Sequence, residues 1–260
     1  MSSSDALTPP VLLVGISGPS SSGKTTLSRL LRDIFPSTFI LHLDDFYLTD
    51  ADIPLKDGIQ DWDCVESLNL PLLHEALSYV KLHGKSPPSL ESKEDLNSVG
   101  PHGVAPADID HWKQYIGRLL EEYAWDTPIA IVDGFLLFSE SMAAIRQLFD
   151  VKLFLRTSHT AAKKRRDARS GYVTLEGFWQ DPPGYVDRIV WPNYVDDHAF
   201  LFENGQVHNA LDLTVCHALG IDGMPLEAEE DMGRCVEWGV QVLEKAIKSA
   251  SQSKQAIVNI

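Results

Sequence analysis

The sequence predicts an α/β fold, a parallel sheet with helices on both faces, and three observations predict it. Strand-like apolar runs alternate with helical patterns along the 260 residues. The first run, Val11 to Ile16, leads directly into Gly18-Pro19-Ser20-Ser21-Ser22-Gly23-Lys24-Thr25, a complete GxxxxGK[ST] loop. Downstream, Lys163, Lys164, Arg165, Arg166 and Arg169 follow a later run as a dense basic cluster in a chain of net charge −15. The loop makes the sheet one of the P-loop NTPase type, and the basic cluster adds a small Arg-rich lid.

Each element follows from its pattern. Thr26 to Ile34 carries Leu27, Leu30, Leu31 and Ile34 at helical spacing, so a helix is expected with its positive end at the loop. Phe39 to Leu43 reads as a strand ending in Asp44 and Asp45, and Leu70 to Leu82 as a helix with Pro71 in its first turn. Gly84 to Asp108 holds Pro87, Pro88, Gly100, Pro101, Gly103 and Pro106 and is expected to be a flexible, non-catalytic insertion. A helix near His111 to Trp125 precedes strands at Ile129 to Val132 and Val151 to Leu155. A last strand is expected at Leu211 to Val215, and a closing helix from about Glu227 to Ala250. Residues 11–250 then form one domain, with 160–185 as the lid and flexible tails at 1–10 and 251–260.

Composition excludes several classes. The 44% hydrophobic content supports a sizeable core, and no apolar run approaches the roughly 20 residues of a membrane span. The N-terminus lacks a basic, apolar leader, so a soluble protein of the cytoplasm, with the nucleus as the other possible compartment, is expected. With 22 basic against 37 acidic residues, nonspecific binding to nucleic acid or anionic membranes is excluded, and an anionic ligand needs a local basic cluster. Cys64, Cys216 and Cys235 are far apart and read as reduced structural thiols. A monomer is favoured.

The candidate chemistry lies at the loop and at the strand ends. Backbone N–H groups of Gly18, Ser20, Ser21, Ser22 and Gly23 point at phosphates, Lys24 reaches the outer phosphate oxygens, and the Thr25 hydroxyl can ligate Mg2+. Thr26 begins the helix behind them. In open α/β sheets the ligand sits beyond the carboxyl ends of the strands, where Asp44, Asp45 and Asp133 fall. Asp44 can accept a proton from an attacking hydroxyl and help hold the metal; Asp45 could do so by spacing alone. Asp133 is placed to support Mg2+. Helical spacing puts Arg165, Arg166 and Arg169 on one face, able to converge on one anion and to close as a lid. Trp62, Tyr172, Trp179, Tyr185, Trp191 and Tyr194 lie outside the predicted strands, where planar rings can stack on a base or pyridine ring.

Those residues carry a resemblance. Gly15 to Gly18 with Ser22 to Leu27, Asp44-Asp45-Phe46-Tyr47, Trp62-Asp63, Asp133-Gly134-Phe135-Leu136-Leu137-Phe138, Lys164-Arg165-Arg166, Pro183-Gly184-Tyr185 and Val190-Trp191-Pro192 look like the nicotinamide riboside kinase family, in the family's order. The resemblance implies transfer of the γ-phosphate of ATP to the 5′-hydroxyl of nicotinamide riboside, with Mg2+, to make nicotinamide mononucleotide. It implies Asp44 as proton acceptor and, with Thr25, a metal contact. It implies Asp63 and Arg166 on the ribose hydroxyls, Trp62 and Tyr172 around the pyridinium ring, Arg165 and Arg169 on ATP, and Asp45, Phe46 and Tyr47 in the acceptor site. The family's Glu-Gly-Phe element reads Asp133-Gly134-Phe135 here, one methylene shorter, and Gly171 to Asp181 does not align without a gap. Acceptance of nicotinic acid riboside, and ATP against GTP, are left open by the motifs. A uridine kinase-like small-molecule kinase and a non-enzymatic ATP-binding module are the alternatives.

Overall fold

The structure is a computed structural model that describes residues 10–94, 97, 100–169, 171–174 and 177–258, so most of the expected N-terminal tail lies outside the described residues. Its strands are Leu12–Ser17 (β1), Thr38–His42 (β2), Leu55–Lys56 (β3), Ile59–Gln60 (β4), Ile129–Gly134 (β5), Val151–Phe154 (β6), Tyr172–Val173 (β7), Phe178–Trp179 (β8) and Ile221–Gly223 (β9). Its helices are Lys24–Ile34 (α1), Leu70–His83 (α2), Pro106–Glu122 (α3), Ala143–Arg146 (α4), His159–Asp167 (α5), Trp191–His198 (α6), Leu213–Leu219 (α7) and Met232–Val258 (α8).

The main sheet has five strands in the order β2-β5-β1-β6-β9, and each neighbouring pair is parallel. The chain leaves β1 toward one edge of the sheet and leaves β6 toward the other, so a crevice opens beyond their carboxyl ends. Both sheet faces are covered. Leu13, Leu41, Ala130 and Val132 pack with Leu73, Leu77 and Val80 of α2 and Cys216 of α7. The alternate residues Leu12, Val14, Ile16, Ile129 and Ile131 pack with Leu27 and Leu31 of α1, Ile116 of α3, and Val236 and Leu243 of α8. Side chains alternate across a strand, and here both alternations are apolar, which is why these strands read as unbroken apolar runs.

Two short antiparallel hairpins, β3-β4 and β7-β8, stand outside this sheet, and the second belongs to the expected lid. Among the described residues no helix is long and apolar enough to cross a membrane. Cys64, Cys216 and Cys235 are unpaired, as expected of reduced thiols.

The structure departs from the sequence reading near the C-terminus and in the insertion. Leu211 to Val215 is not the last strand. The Asp212 side chain accepts the N–H groups of Thr214 and Val215 and caps α7, and this local capping overrides the strand preference of those β-branched residues. The fifth strand instead follows Gly220, whose φ of 64° ends the helix in the left-handed region. The closing helix starts at Met232 and runs on to Val258, into the stretch expected to be a tail. Pro106 sits in the first turn of α3, so that helix begins inside the expected insertion.

Replacing the α7 cap, Asp212→Ala, should lower unfolding free energy by about 1 kcal/mol. A urea midpoint equal to that of the unchanged protein would show that the cap contributes nothing.

Candidate active site

Two glycines shape the phosphate loop. Gly18 has φ 143°, and a Cβ there would lie 2.4 Å from the Leu155 carbonyl oxygen, because β1 and β6 continue side by side and Leu155 donates its N–H to Ser17 O at 2.7 Å. Gly23, with φ 101°, precedes α1, and a Cβ there would meet Met232 at 2.8 Å. Lys24 reaches back over the loop and donates to Pro19 O at 2.9 Å. The hydroxyls of Ser17, Ser21 and Ser22 are buried without a protein partner.

The sheet register brings the acidic groups to this loop. His42 and Asp133 are paired positions of β2 and β5, and His42 Nδ1 lies 2.7 Å from Asp133 Oδ1 in a buried ion pair. Burial works against the His42 charge, but the Asp133 charge and hydrogen bond outweigh it and raise its pKa from 6.5 to about 9. Burial likewise opposes the Asp133 charge, yet His42, a hydrogen bond from Thr25 and the Lys24 ammonium hold that carboxyl below its usual range. Asp44 is the second residue of a 3-10 turn, Leu43–Phe46, directly after β2. Burial, with Glu94 and Asp133 nearby, pushes its pKa up to about 7 against the pull of Lys24 and His42. Burial lowers Lys24 to about 8, offset in part by Asp44 and Asp133.

One pocket runs from the loop to an aromatic wall. Ser20, Ser21, Gly23, Lys24, Thr25 and Thr26 line its inner end beside Asp44 and Asp133. Tyr47, Trp62, Asp63 and Tyr172 line the rest, together with Phe135 and Trp179. Trp62 lies edge-on to Tyr47, with ring centroids 5.2 Å apart, and 5.7 Å from Trp179. A second, broader cleft on the far side of Thr25 and Thr26 is lined by Ser22, Arg165, Arg169, Met224 and Met232.

The arginines divide rather than converge on one anion. Arg165 Nη1 donates at 3.4 Å to Ser21 O and to Thr157 Oγ1 and faces the broad cleft; Arg169 lines both cavities. Arg166 is buried. It makes a fork to Asp63, with 3.2 Å at each oxygen, binds Asp181 at 2.5 and 3.2 Å, and donates to Ser20 Oγ at 2.6 Å. These bonds engage all of a guanidinium's N–H donors, so Arg166 holds Asp63 in place and has no donor left for a ligand, whereas Asp63 keeps free lone pairs.

Two expected acceptor residues point elsewhere. Phe46 is fully buried in the core beneath β2 and β5. Asp45 does not line the pocket, and its Oδ1 accepts the N–H groups of Lys93 and Glu94 at 2.6 and 3.1 Å. The expected insertion is not remote from the site, since Glu94 and Asn97 line both cavities. Neither they nor His42 carried a sequence signal, because their roles depend on a long-range approach. Trp179 was visible as an aromatic outside the strands.

The donors fit a magnesium ion. Thr25, Asp44 and Asp133 offer oxygen ligands in one pocket, and Asp133 Oδ2 is buried without a hydrogen-bond partner. Among the described residues no group of three or more His, Cys, Asp or Glu side chains could hold a metal unaided. Magnesium does not need one, because it binds through one or two carboxylates, water and substrate phosphates.

An anion cradle that opens onto a carboxylate within one pocket is built to pass a phosphoryl group to a second molecule; the class is that of phosphate-loop kinases. No protein-family model matches the chain. Individual proteins do. It is 44% identical over 206 residues to the nicotinamide riboside kinase of Schizosaccharomyces pombe, covering 79% of this chain and 86% of that one. It is 37% identical over 204 residues to the nicotinamide riboside kinase of Saccharomyces cerevisiae, covering 78% and 83%, and 30% identical over 186 residues to human nicotinamide riboside kinase 1, covering 70% and 74%. The chain belongs to the nicotinamide riboside kinase family.

The His42–Asp133 pair sets a pH dependence of stability. The folded pKa of about 9 lies above the ordinary 6.5, so folding tightens proton binding; the stability this contributes is complete below about pH 6.5 and is lost as pH rises through about 9. Chemical denaturation at pH 7 and pH 9.5 should show a larger loss for the unchanged protein than for His42→Gln. Equal losses would remove His42 from the account.

Proposed function

We propose that this chain transfers the γ-phosphate of ATP to the 5′-hydroxyl of nicotinamide riboside, giving nicotinamide mononucleotide for NAD synthesis. The observation that carries the reading is a single pocket with Lys24 and the phosphate loop at one end, Asp44 beside them, and Trp62, Asp63 and Tyr172 at the other.

In this reading the triphosphate lies in the broad cleft with Arg165 and Arg169, and its terminal phosphate sits between Lys24 and the loop N–H groups. Asp63 receives the ribose hydroxyls in the orientation that Arg166 imposes. The acceptor's 5′-oxygen attacks the γ-phosphorus, its proton passes to Asp44, and ADP departs with the electrons of the broken bond. A carboxylate with a pKa near 7 suits that proton transfer at neutral pH. Thr25, Asp44 and Asp133 would hold Mg2+, which when bound neutralises charge on the phosphate oxygens. The lysine, the arginines and the loop stabilise charge that grows during transfer, and the buried setting excludes water.

The aromatic wall favours this acceptor over uridine. A pyridinium ring is cationic, and Trp62, Tyr172 and Trp179 with the nearby carboxylates attract it; a neutral uracil ring gains less. An assay of ADP release with nicotinamide riboside and uridine in parallel should show a strong preference for the riboside. A preference for uridine overturns the acceptor assignment, and ATP binding without turnover of either supports a non-enzymatic module instead.

Asp44→Ala should lower kcat by about 10²- to 10⁴-fold, the usual contribution of a general base, while calorimetry shows ATP still bound. Near-normal turnover in that variant would reject Asp44 as the base.

A further inference from the structure

The acceptor pocket owes part of its wall to a hairpin too small to stand alone. Strands β7 and β8 have two residues each, yet they present Tyr172 and Trp179 to the pocket. An isolated two-stranded ribbon is marginal in water even when longer, so its position must come from outside contacts. Trp179 Nε1 donates to Asp181 Oδ1 at 2.9 Å, and Thr174 Oγ1 donates to Asp50 Oδ2 at 3.4 Å, while the Trp179 ring packs 5.7 Å from Trp62. The guanidinium carbons of Arg166 and Arg169 lie 5.0 and 5.4 Å from the Tyr172 ring centre.

A further anchor, Asn97, crosses the site. Asn97 Oδ1 accepts the Val173 N–H at 2.9 Å, and Asn97 Nδ2 donates to Glu94 Oε2 at 2.5 Å. Glu94 is itself fixed from the opposite wall. Its N–H reaches Asp45, the residue after Asp44, and its carbonyl accepts from Arg29 of α1 at 3.4 Å and from the Asn97 N–H at 3.0 Å. One amide side chain thus joins the turn that carries Asp44 to the strand that carries Tyr172.

We propose that Asn97 is a positioning residue for the acceptor: it holds the Tyr172 strand against the pocket through Val173 and is itself oriented by Glu94, which is oriented in turn by Asp45. This rests on the riboside reading above. It also gives a role to Asp45, which does not face the pocket, and to a segment that the sequence alone marks as non-catalytic.

Asn97→Ala removes both bonds. The expected result is a KM for nicotinamide riboside raised about tenfold, the cost of about one lost hydrogen bond, and raised well beyond any change in the KM for ATP, whose cleft Asn97 also lines. Asn97→Asp keeps an acceptor for Val173 but sets a carboxylate against Glu94; adding Glu94→Gln restores a donor to that pair and should return the riboside KM to that of Glu94→Gln alone. Faster hydrogen exchange at the Val173 amide in Asn97→Ala, measured without substrates, reads the anchor independently of turnover. If the unchanged protein does not phosphorylate the riboside, the functional reading fails while the exchange result still tests the anchor. An unaltered Val173 exchange rate overturns the inference, as does a riboside KM that stays constant, rises in step with the ATP KM, or is not recovered in the double variant.

Discussion

Arg166 ties the site together. From the last turn of α5 it spends its donors on Ser20 in the phosphate loop, Asp63 in the acceptor element and Asp181 beyond the hairpin. Three pieces of chain are thereby held around one pocket, alongside the Trp62–Trp179 ring contact and the Trp62 N–H bond to Tyr185. A buried ion pair of this kind adds little net stability compared with apolar packing, but losing one partner leaves an uncompensated charge that costs about 3–5 kcal/mol. Such an interaction fixes which pieces belong together more than it strengthens the fold.

The electrostatics around it mix both signs at close range. Lys24 and Arg169 line the pocket with Asp44, Asp63, Asp133 and Glu94, and Arg165 and Arg169 line the broad cleft with Glu94, Glu229, Glu230 and Asp231. Packing carboxylates so closely is tolerable only because each has a different partner: His42 for Asp133, Arg166 for Asp63, Asn97 for Glu94. Burial, with Glu94 and Asp133 beside it, raises the pKa of Asp44 despite Lys24 and His42, whereas His42 outweighs burial at Asp133 and holds that carboxyl down. The groups at the sheet edge are therefore not interchangeable, although all are carboxylates at neighbouring strand ends.

Legibility in the sequence tracked the range of the interaction. The phosphate loop, the helix after it and the strand ends were readable because motif spacing and apolar periodicity define them. Where a local signal competed with another, the reading failed; Thr214 and Val215 favour a strand, but the Asp212 cap beside them made a helix. Arg165 and Arg166 lie on α5, but Arg169 falls past its end at Asp167, and helical spacing says nothing about what lies opposite each residue. One meets the loop carbonyl, one is buried against carboxylates, and one faces both cavities.

By itself the sequence determined the α/β class, the phosphate loop, the family, and which residue types were present to do the chemistry, since periodicity, turn geometry and motif spacing are short-range properties. Only the tertiary structure decided their assignments. It buried Asp45 against the Lys93 and Glu94 backbone, buried Phe46 in the core, set Arg166 to holding Asp63, and drew Glu94 and Asn97 from an insertion expected to be idle into the pocket wall. Each depends on contacts between residues tens of positions apart, which no local pattern encodes and which exist only once the helices have closed over both faces of the sheet.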